Sequence, residues 1–268
     1  MTFDEILATV DGKGSATFPE GWGQGRALFG GLVGAVLFDH LQKTVATGRF
    51  LRSFSLSFVA PASPGEVALE ATVLREGKSV MQAMVSARQG EQVVAVMLAS
   101  FGVGRESNVV VEGPSAPGLK GADQSFALPF IKGLTPDFLS HFDIRYAEGM
   151  PPFSASAAPD FGGYMGFAVP PETMSTAALI ALVDTWPPSV LPLLKGPAPA
   201  SSLTWTMELL DDPESRPADT LWQYRVNTDQ CSDGYGQSQA VIWDAAGKAV
   251  ALSRHCLLYT SPSPRDAS

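Results

Sequence analysis

The stretch at residues 51–101, LRSFSLSFVAPASPGEVALEATVLREGKSVMQAMVSARQGEQVVAVMLASF, has a second version later in the chain, at residues 200–254. Both run in the same order: an alternating strand, a turn, a strand, a polar Gly-containing turn and a hairpin. Overlaid, Phe54, Leu56 and Phe58 fall on Leu203, Trp205 and Met207, and Glu91–Ala95 falls on Gly247–Ala251. Each copy follows one apolar, helix-like run, Ala27–Gln42 in the first and Ser175–Trp186 in the second. A duplicated unit of one helix and an antiparallel sheet is therefore expected, and few soluble architectures are built that way.

The punctuation between these elements is clear. Pro61–Gly65 and Asp211–Pro217 separate strands, and Asp244–Gly247 has the composition of a short hairpin connection. Residues 104–125, GRESNVVVEGPSAPGLKGADQS, are rich in Gly, Pro and Ser without a sustained period and read as a surface linker. The second unit opens with Phe138–Met150 and a strand around Gly162–Ala168.

The first helix-like run, ALFGGLVGAVLFDHLQ, is apolar around nearly its whole circumference until Asp39, so it should be enclosed. Gly30, Gly31 and Gly34 each cost about 1 kcal/mol of helix propensity relative to Ala, and close wrapping by a curved sheet would offset that. A long helix swaddled by an antiparallel sheet is the hotdog arrangement. The expected fold class is thus α+β, a double hotdog with two central helices each wrapped by an antiparallel β-sheet. Its units are residues 1–103 and 126–259, joined by the linker at 104–125. The closing TSPSPRDAS has tail composition and no counterpart in the first copy, so residues 260–268 read as a disordered or foreign tail.

Composition narrows the function classes. The chain has 268 residues, 45% of them apolar and 17% charged, which is ordinary for a globular core. A net charge of -9 without any basic run argues against a nucleic-acid partner. Asp4 and Glu5 stand where a signal peptide would need Lys or Arg, and no apolar run nears the ~20 residues that span a bilayer. A cytoplasmic protein without a membrane partner is expected. Cys231 and Cys256 lie far apart and lack a C-x-x-C partner, so neither a disulfide framework nor a zinc site is indicated. There is no G-x-S-x-G elbow, H-E-x-x-H, P-loop or dinucleotide-binding glycine motif. The glycines of Gly21–Gly25 lack the preceding strand and read as a loop feeding the first helix.

Three segments draw attention on chemical grounds. Asp184 follows the apolar run Ala177–Val183 and precedes Pro187-Pro188. A carboxylate there meets the negative end of the helix dipole and an apolar surround, and both raise its pKa towards the range a general base needs. Alternatively, it accepts hydrogen bonds from the Pro-rich turn. Strict alternation from Ser202 puts Ser202, Thr204, Thr206 and Glu208 on one face and Leu203, Trp205, Met207 and Leu209 on the other. Those hydroxyls either face solvent or hold a water. Gly30 and Gly31, near a helix start, could offer free N–H groups to a developing oxyanion, or serve close packing. His40 and His141 have no partner at a suggestive spacing.

The segment Leu28–Ala35, the Ser55–Pro64 strand and turn and the Arg75–Phe101 hairpin resemble the N-terminal hotdog of acyl-CoA thioesterase II enzymes. Leu182–Pro188, Pro199–Leu203 and Asp233-Gly234-Tyr235 resemble the C-terminal hotdog of the broader thioesterase-like superfamily. The likeness spans about residues 1–255. It implies hydrolysis of acyl-CoA to free acid and CoA, with acyl-CoA as the partner and no metal or organic cofactor. The family orients a water with an Asp on the second helix, a Thr or Ser opening the next strand and a Gln on the last strand. The first two match Asp184 and Ser202, whereas the Gln position falls on His255. With Gly30, Gly31 and Thr204 as substrate contacts, these complete the expected site. By analogy with other hotdogs, a homodimer through edge-to-edge sheet pairing is expected. Two rivals are a non-catalytic acyl-CoA or lipid-binding hotdog and a hotdog hydratase, which would want an Asp–His pair on one helix-bearing half.

Overall fold

The computed structural model describes residues 1–46 and 48–260. Fourteen strands and three α-helices occur among them. The first half contains α1 (Phe3–Ala8), β1 (Ser15–Phe18), β2 (Gly23–Gln24), β3 (Ala27–Leu28), α2 (Gly30–Thr44), β4 (Phe50–Phe58), β5 (Gly65–Glu76), β6 (Val80–Gln89) and β7 (Gln92–Gly102). The second contains β8 (Phe126–Ala127), β9 (Phe142–Glu148), β10 (Phe161–Phe167), α3 (Thr176–Val183), β11 (Ala200–Leu209), β12 (Trp222–Ser232), β13 (Tyr235–Trp243) and β14 (Ala249–Tyr259). Twelve strands form one antiparallel sheet in the order β1-β5-β6-β7-β4-β11-β14-β13-β12-β10-β9-β8, and β2 pairs with β3 alone. No helix among the described residues is long and apolar enough to cross a membrane.

The join between the halves follows from the repeat. Strand β4 pairs with β11 in the register Leu56↔Trp205, Phe54↔Met207, Ser55↔Thr206. Since Leu56 and Trp205 are also equivalent in the overlay, each residue of one copy pairs with the counterpart of a residue on the far side of Leu56. That is the mark of an approximate two-fold axis through the Leu56–Trp205 pair, an isologous contact inside one chain. Phe54 and Trp205 meet edge to face at 5.0 Å between ring centres.

Helices α2 and α3 pack on each other, α2 lying against β5, β6 and β7 and α3 against β10. Every residue of α3 is buried, as are Leu32–Phe38 of α2. The glycines of α2 are explained by the helix contact more than by the sheet. A Cβ on Gly31 would stand 2.7 Å from the carbonyl oxygen of Ala181 in α3 and 2.5 Å from the Phe29 ring. Gly30 and Gly34 are crowded from the sheet side as well, Gly30 by the Phe58 ring at 3.0 Å and Gly34 by Trp205 and Leu56 together with Ile180.

Several boundaries differ from the sequence expectation. The helix expected over Ala27–Gln42 starts at Gly30, with Phe29 as its cap, because Ala27 and Leu28 pair with Gln24 and Gly23. A third, short helix, α1, was not anticipated. A capping box of Thr2 and Glu5 holds it, and Phe3 and Ile6 are its buried side chains. The Asp244 turn is built as expected, its Oδ1 accepting from the N–H groups of Ala246 and Lys248 with Gly247 at φ +84°. Residues 104–121 form no regular element, but Pro114 and Lys120 accept hydrogen bonds from Trp243 Nε1 and the Tyr164 hydroxyl. Of the expected tail, residues 261–268 lie outside the described residues, while the Thr260 N–H donates to Pro199.

Candidate functional site

Asp184 caps the C-terminus of α3, and the helix stops there because Pro187 and Pro188 cannot extend it. Trp186 fixes this end, stacking on Tyr224 of β12 at 5.0 Å and donating from Nε1 to Met165 of β10 at 3.3 Å. The Asp184 carboxylate is then pressed against the start of α2: a Cβ on Gly30 would lie 2.8 Å from its Oδ2. Its side chain is only 12% exposed. Burial raises its pKa from 3.8 to about 7, with the Gly31 backbone N–H pulling the other way. The environment thus differs from the one expected. The carboxylate sits between the negative end of its own helix and the positive end of α2, and desolvation dominates. The backbone N–H of Gly31 at the start of α2 acts on Asp184, and the described residues show no hydrogen bond to it from the Pro-rich turn.

Strand β14 brings His255 to this carboxylate, with Nε2 3.7 Å from Asp184 Oδ1. His255 is opposite Trp205 in the β11–β14 pair and stacks on its ring at 5.3 Å. Burial lowers its pKa to about 4, so it is neutral at physiological pH. Desolvation disfavours an imidazolium at this position. An Asp–His pair in the helix-bearing second half, which sequence spacing does not reveal, is thereby made across 71 residues of chain, from 184 to 255.

Ser202 reaches the same imidazole through a bulge. The β11–β14 register shifts between Ser202 and Thr204, so Ser202 is opposite Leu257 while Thr204 is opposite Cys256. The bulge breaks the strict alternation and turns Ser202 to the inner face, where its Oγ is 3.2 Å from His255 Nδ1. Thr204 keeps the outer face and is exposed. The expectation that it contacts substrate is corrected by that bulge. Asp184, Ser202, His255 and Gly30 line one cavity of about 300 Å³, whereas Gly31 and Thr204 do not.

Among the lining residues that escaped the sequence reading are Tyr224 and Ser238, both buried. They occupy inward positions of β12 and β13, in rows otherwise filled by Trp222 and Val226 and by Ala240 and Ile242. A hydroxyl breaking an apolar row was the available signal. The phenol of Tyr224 has its pKa raised by burial and, secondarily, by Asp184. Outside the cavity, His141 stacks on Trp22 at 4.0 Å, and His40 is buried beside Asp39 in α2.

The chain's relatives agree with this architecture. The acyl-CoA thioesterase N-terminal domain matches residues 18–102, and the acyl-CoA thioesterase C-terminal domain matches residues 115–259. Among solved structures, a hotdog-fold protein of unknown function from Alicyclobacillus acidocaldarius is 23% identical, with a TM-score of 0.87 over 97% of this chain and 98% of that one. The acyl-CoA thioesterase II TesB2 of Mycobacterium marinum is 17% identical, with a TM-score of 0.76 over 98% and 99%. A tesB protein from Mycobacterium avium subspecies paratuberculosis is 15% identical, with a TM-score of 0.77 over 97% and 100%. At these identities the structures show the hotdog fold alone. No curated protein matches the sequence. With both halves matched in order, the chain belongs to the acyl-CoA thioesterase family, within the thioesterase-like double hotdog superfamily.

Proposed function

We propose that this protein hydrolyses acyl-CoA thioesters to free acid and CoA, in a double hotdog of units 1–103 and 126–259, with water activated by a network centred on Asp184. The observation that carries the reading is the buried carboxylate at the meeting point of α3 and α2, with His255 and Ser202 beside it on the wall of one cavity. A thioester carbonyl is electrophilic enough for an oriented oxygen nucleophile, and neither metal nor organic cofactor enters the scheme. With a pKa of about 7, Asp184 is the group in the site able to take a proton near neutral pH. Gly30, at the start of α2, lines the same cavity, so the first turn of that helix stands beside the place where negative charge would develop on the carbonyl oxygen.

The Asp184–His255 pair also supports a second reading, hydration of an unsaturated acyl-CoA, since that is the pair such a hotdog needs. One panel separates the readings. Thiol release from acyl-CoAs of graded length is expected for the parent and lost in D184N. Consumption of enoyl-CoA without thiol release would favour the hydratase. Binding of acyl-CoA without any turnover would overturn both and leave the non-catalytic binding protein.

A further inference from the structure

We propose that the cavity selects acyl-CoAs whose acyl group carries a hydroxyl or keto oxygen close to the thioester, with Tyr224 and Ser238 as the residues that bind that oxygen. The inference rests on the thioester-hydrolase reading and narrows its substrate class. Three of the hydroxyl side chains lining the cavity are more than nine-tenths buried: Ser189 is 2% exposed, Tyr224 6% and Ser238 5%. Ser189 is already engaged, bonded to Thr228 at 2.8 Å. The Tyr224 and Ser238 hydroxyls make no hydrogen bond among the described residues. Nor are they sealed in. The Tyr146 hydroxyl is shut in the core without a partner, whereas the Tyr224 and Ser238 oxygens keep access to open space, and the space beside them is the cavity.

Both hydroxyls are held near the reacting group. Ser238 is directly opposite His255 in the β13–β14 pair, and residues so opposed share a face with Cβ atoms about 5 Å apart. Tyr224 is stacked on Trp186, two residues past Asp184, with ring centres 5.0 Å apart and planes 10° from parallel. Its phenol is near enough to Asp184 to feel that charge, and after burial this is what keeps the proton on the oxygen throughout the neutral range. Val226 lies between the two, because Thr228 is opposite Ser238 and Val226 comes next towards Tyr224 on the same face of β12. The wall beside Asp184 therefore offers a hydroxyl, an isopropyl group and a second hydroxyl in succession.

A plain alkyl chain is a poor match for such a wall. Seated there, it strips both hydroxyls of solvent and offers them nothing, and each one left unpaired weakens binding by on the order of tenfold. A keto oxygen accepts from either hydroxyl, and a substrate hydroxyl donates or accepts as required. A site that bonds a substrate oxygen also rejects the analogue lacking it far more strongly than an apolar pocket rejects by size. Because the two binders flank His255 and Asp184, the oxygen they hold belongs to the first few carbons beyond the carbonyl. Neither hydroxyl enters the chemical step: Asp184 still activates the water, and His255 stays neutral.

The test uses the full chain and three substrates of equal chain length, hexanoyl-CoA, 3-hydroxyhexanoyl-CoA and 3-oxohexanoyl-CoA, with kcat/KM taken from thiol release. The parent should prefer at least one oxygenated substrate over hexanoyl-CoA by about tenfold or more, and Y224F and S238A should each cut that ratio by about threefold or more. A ratio taken within one protein is not moved by a general loss of structure, and the preference of the parent stands on its own should a variant fail to fold. The proposal is overturned if the parent hydrolyses hexanoyl-CoA as well as both oxygenated substrates, or if the ratio is unchanged in both folded variants. Absence of thiol release from all three would reject the thioesterase reading instead. Titration calorimetry with the same three ligands then decides the site separately: about tenfold tighter binding of an oxygenated ligand keeps the inference, and equal affinities overturn it.

Discussion

Asp184→Asn should stabilise the protein increasingly as pH rises, while removing its turnover. The folded protein raises the Asp184 pKa from 3.8 to about 7 because the carboxylate is desolvated. The stability that goes with the protonated form is fully present below the unfolded-state value near 3.8 and is lost as pH climbs through about 7. At about 1.36 kcal/mol per pKa unit the full cost is on the order of 4 kcal/mol, of which roughly 2.5 falls between about pH 5 and pH 8. An Asn keeps the shape and has no charge to desolvate. Urea unfolding of both proteins at about pH 5 and pH 8 measures the difference, and His255 is present in each and largely cancels. The stability gap in favour of the variant should widen by roughly 2.5 kcal/mol across that interval. A gap that stays constant within about 0.5 kcal/mol would show that Asp184 is not desolvated in the fold, and the argument for it as a base near neutrality would go with it.

For the parent, kcat/KM for thiol release should rise about tenfold between about pH 6 and pH 8 as Asp184 ionises, a profile checked by initial rates in constant ionic strength. His255→Gln should lower turnover at every pH in that range; a gain confined to acid pH would mean that the imidazole does charge in the folded protein. Gly31→Ala should destabilise by about 1–3 kcal/mol, because its Cβ meets the Ala181 carbonyl, whereas Gly34→Ala, with neighbours at 3.2–3.3 Å, should be milder. Thermal melts of the two variants side by side decide this, and equal melting temperatures would remove the helix–helix contact as the reason for the glycine.

What the sequence made legible was whatever its periodicities encode. The repeat placed Leu56 on Trp205, and those residues are the pair through which the two halves meet. Asp184 stood out because a charge at the end of the run Ala177–Val183 is costly without a reason. Resemblance grouped the side chain of Ser202 with Asp184, beside which the structure has it, but alternation gave it the wrong face, since one extra residue in a strand inverts everything on one side of it. The protonation of His255 could not be read at all, because it depends on burial against Trp205, a residue 50 positions away in the chain, at 205 against 255. Tyr224 and Ser238 were passed over as members of ordinary strands, and only the tertiary structure brings them to the cavity that Asp184 lines.

The seam between β4 and β11 also bears on how the chain is made. Its partners are about 150 residues apart, so closure waits for the second half, and contacts of such separation form late and slowly. During synthesis the first unit can complete β5, β6 and β7 while one side of β4 still has no neighbour. That exposed edge is a docking template for any other nascent strand. Arg52, Ser53, Ser55 and Ser57 punctuate it with polar side chains, which weakens adventitious pairing until the rightful partner emerges. Because Gly30 comes from the first unit and Asp184, Ser202 and His255 from the second, the cavity they line is complete only once the two halves have closed.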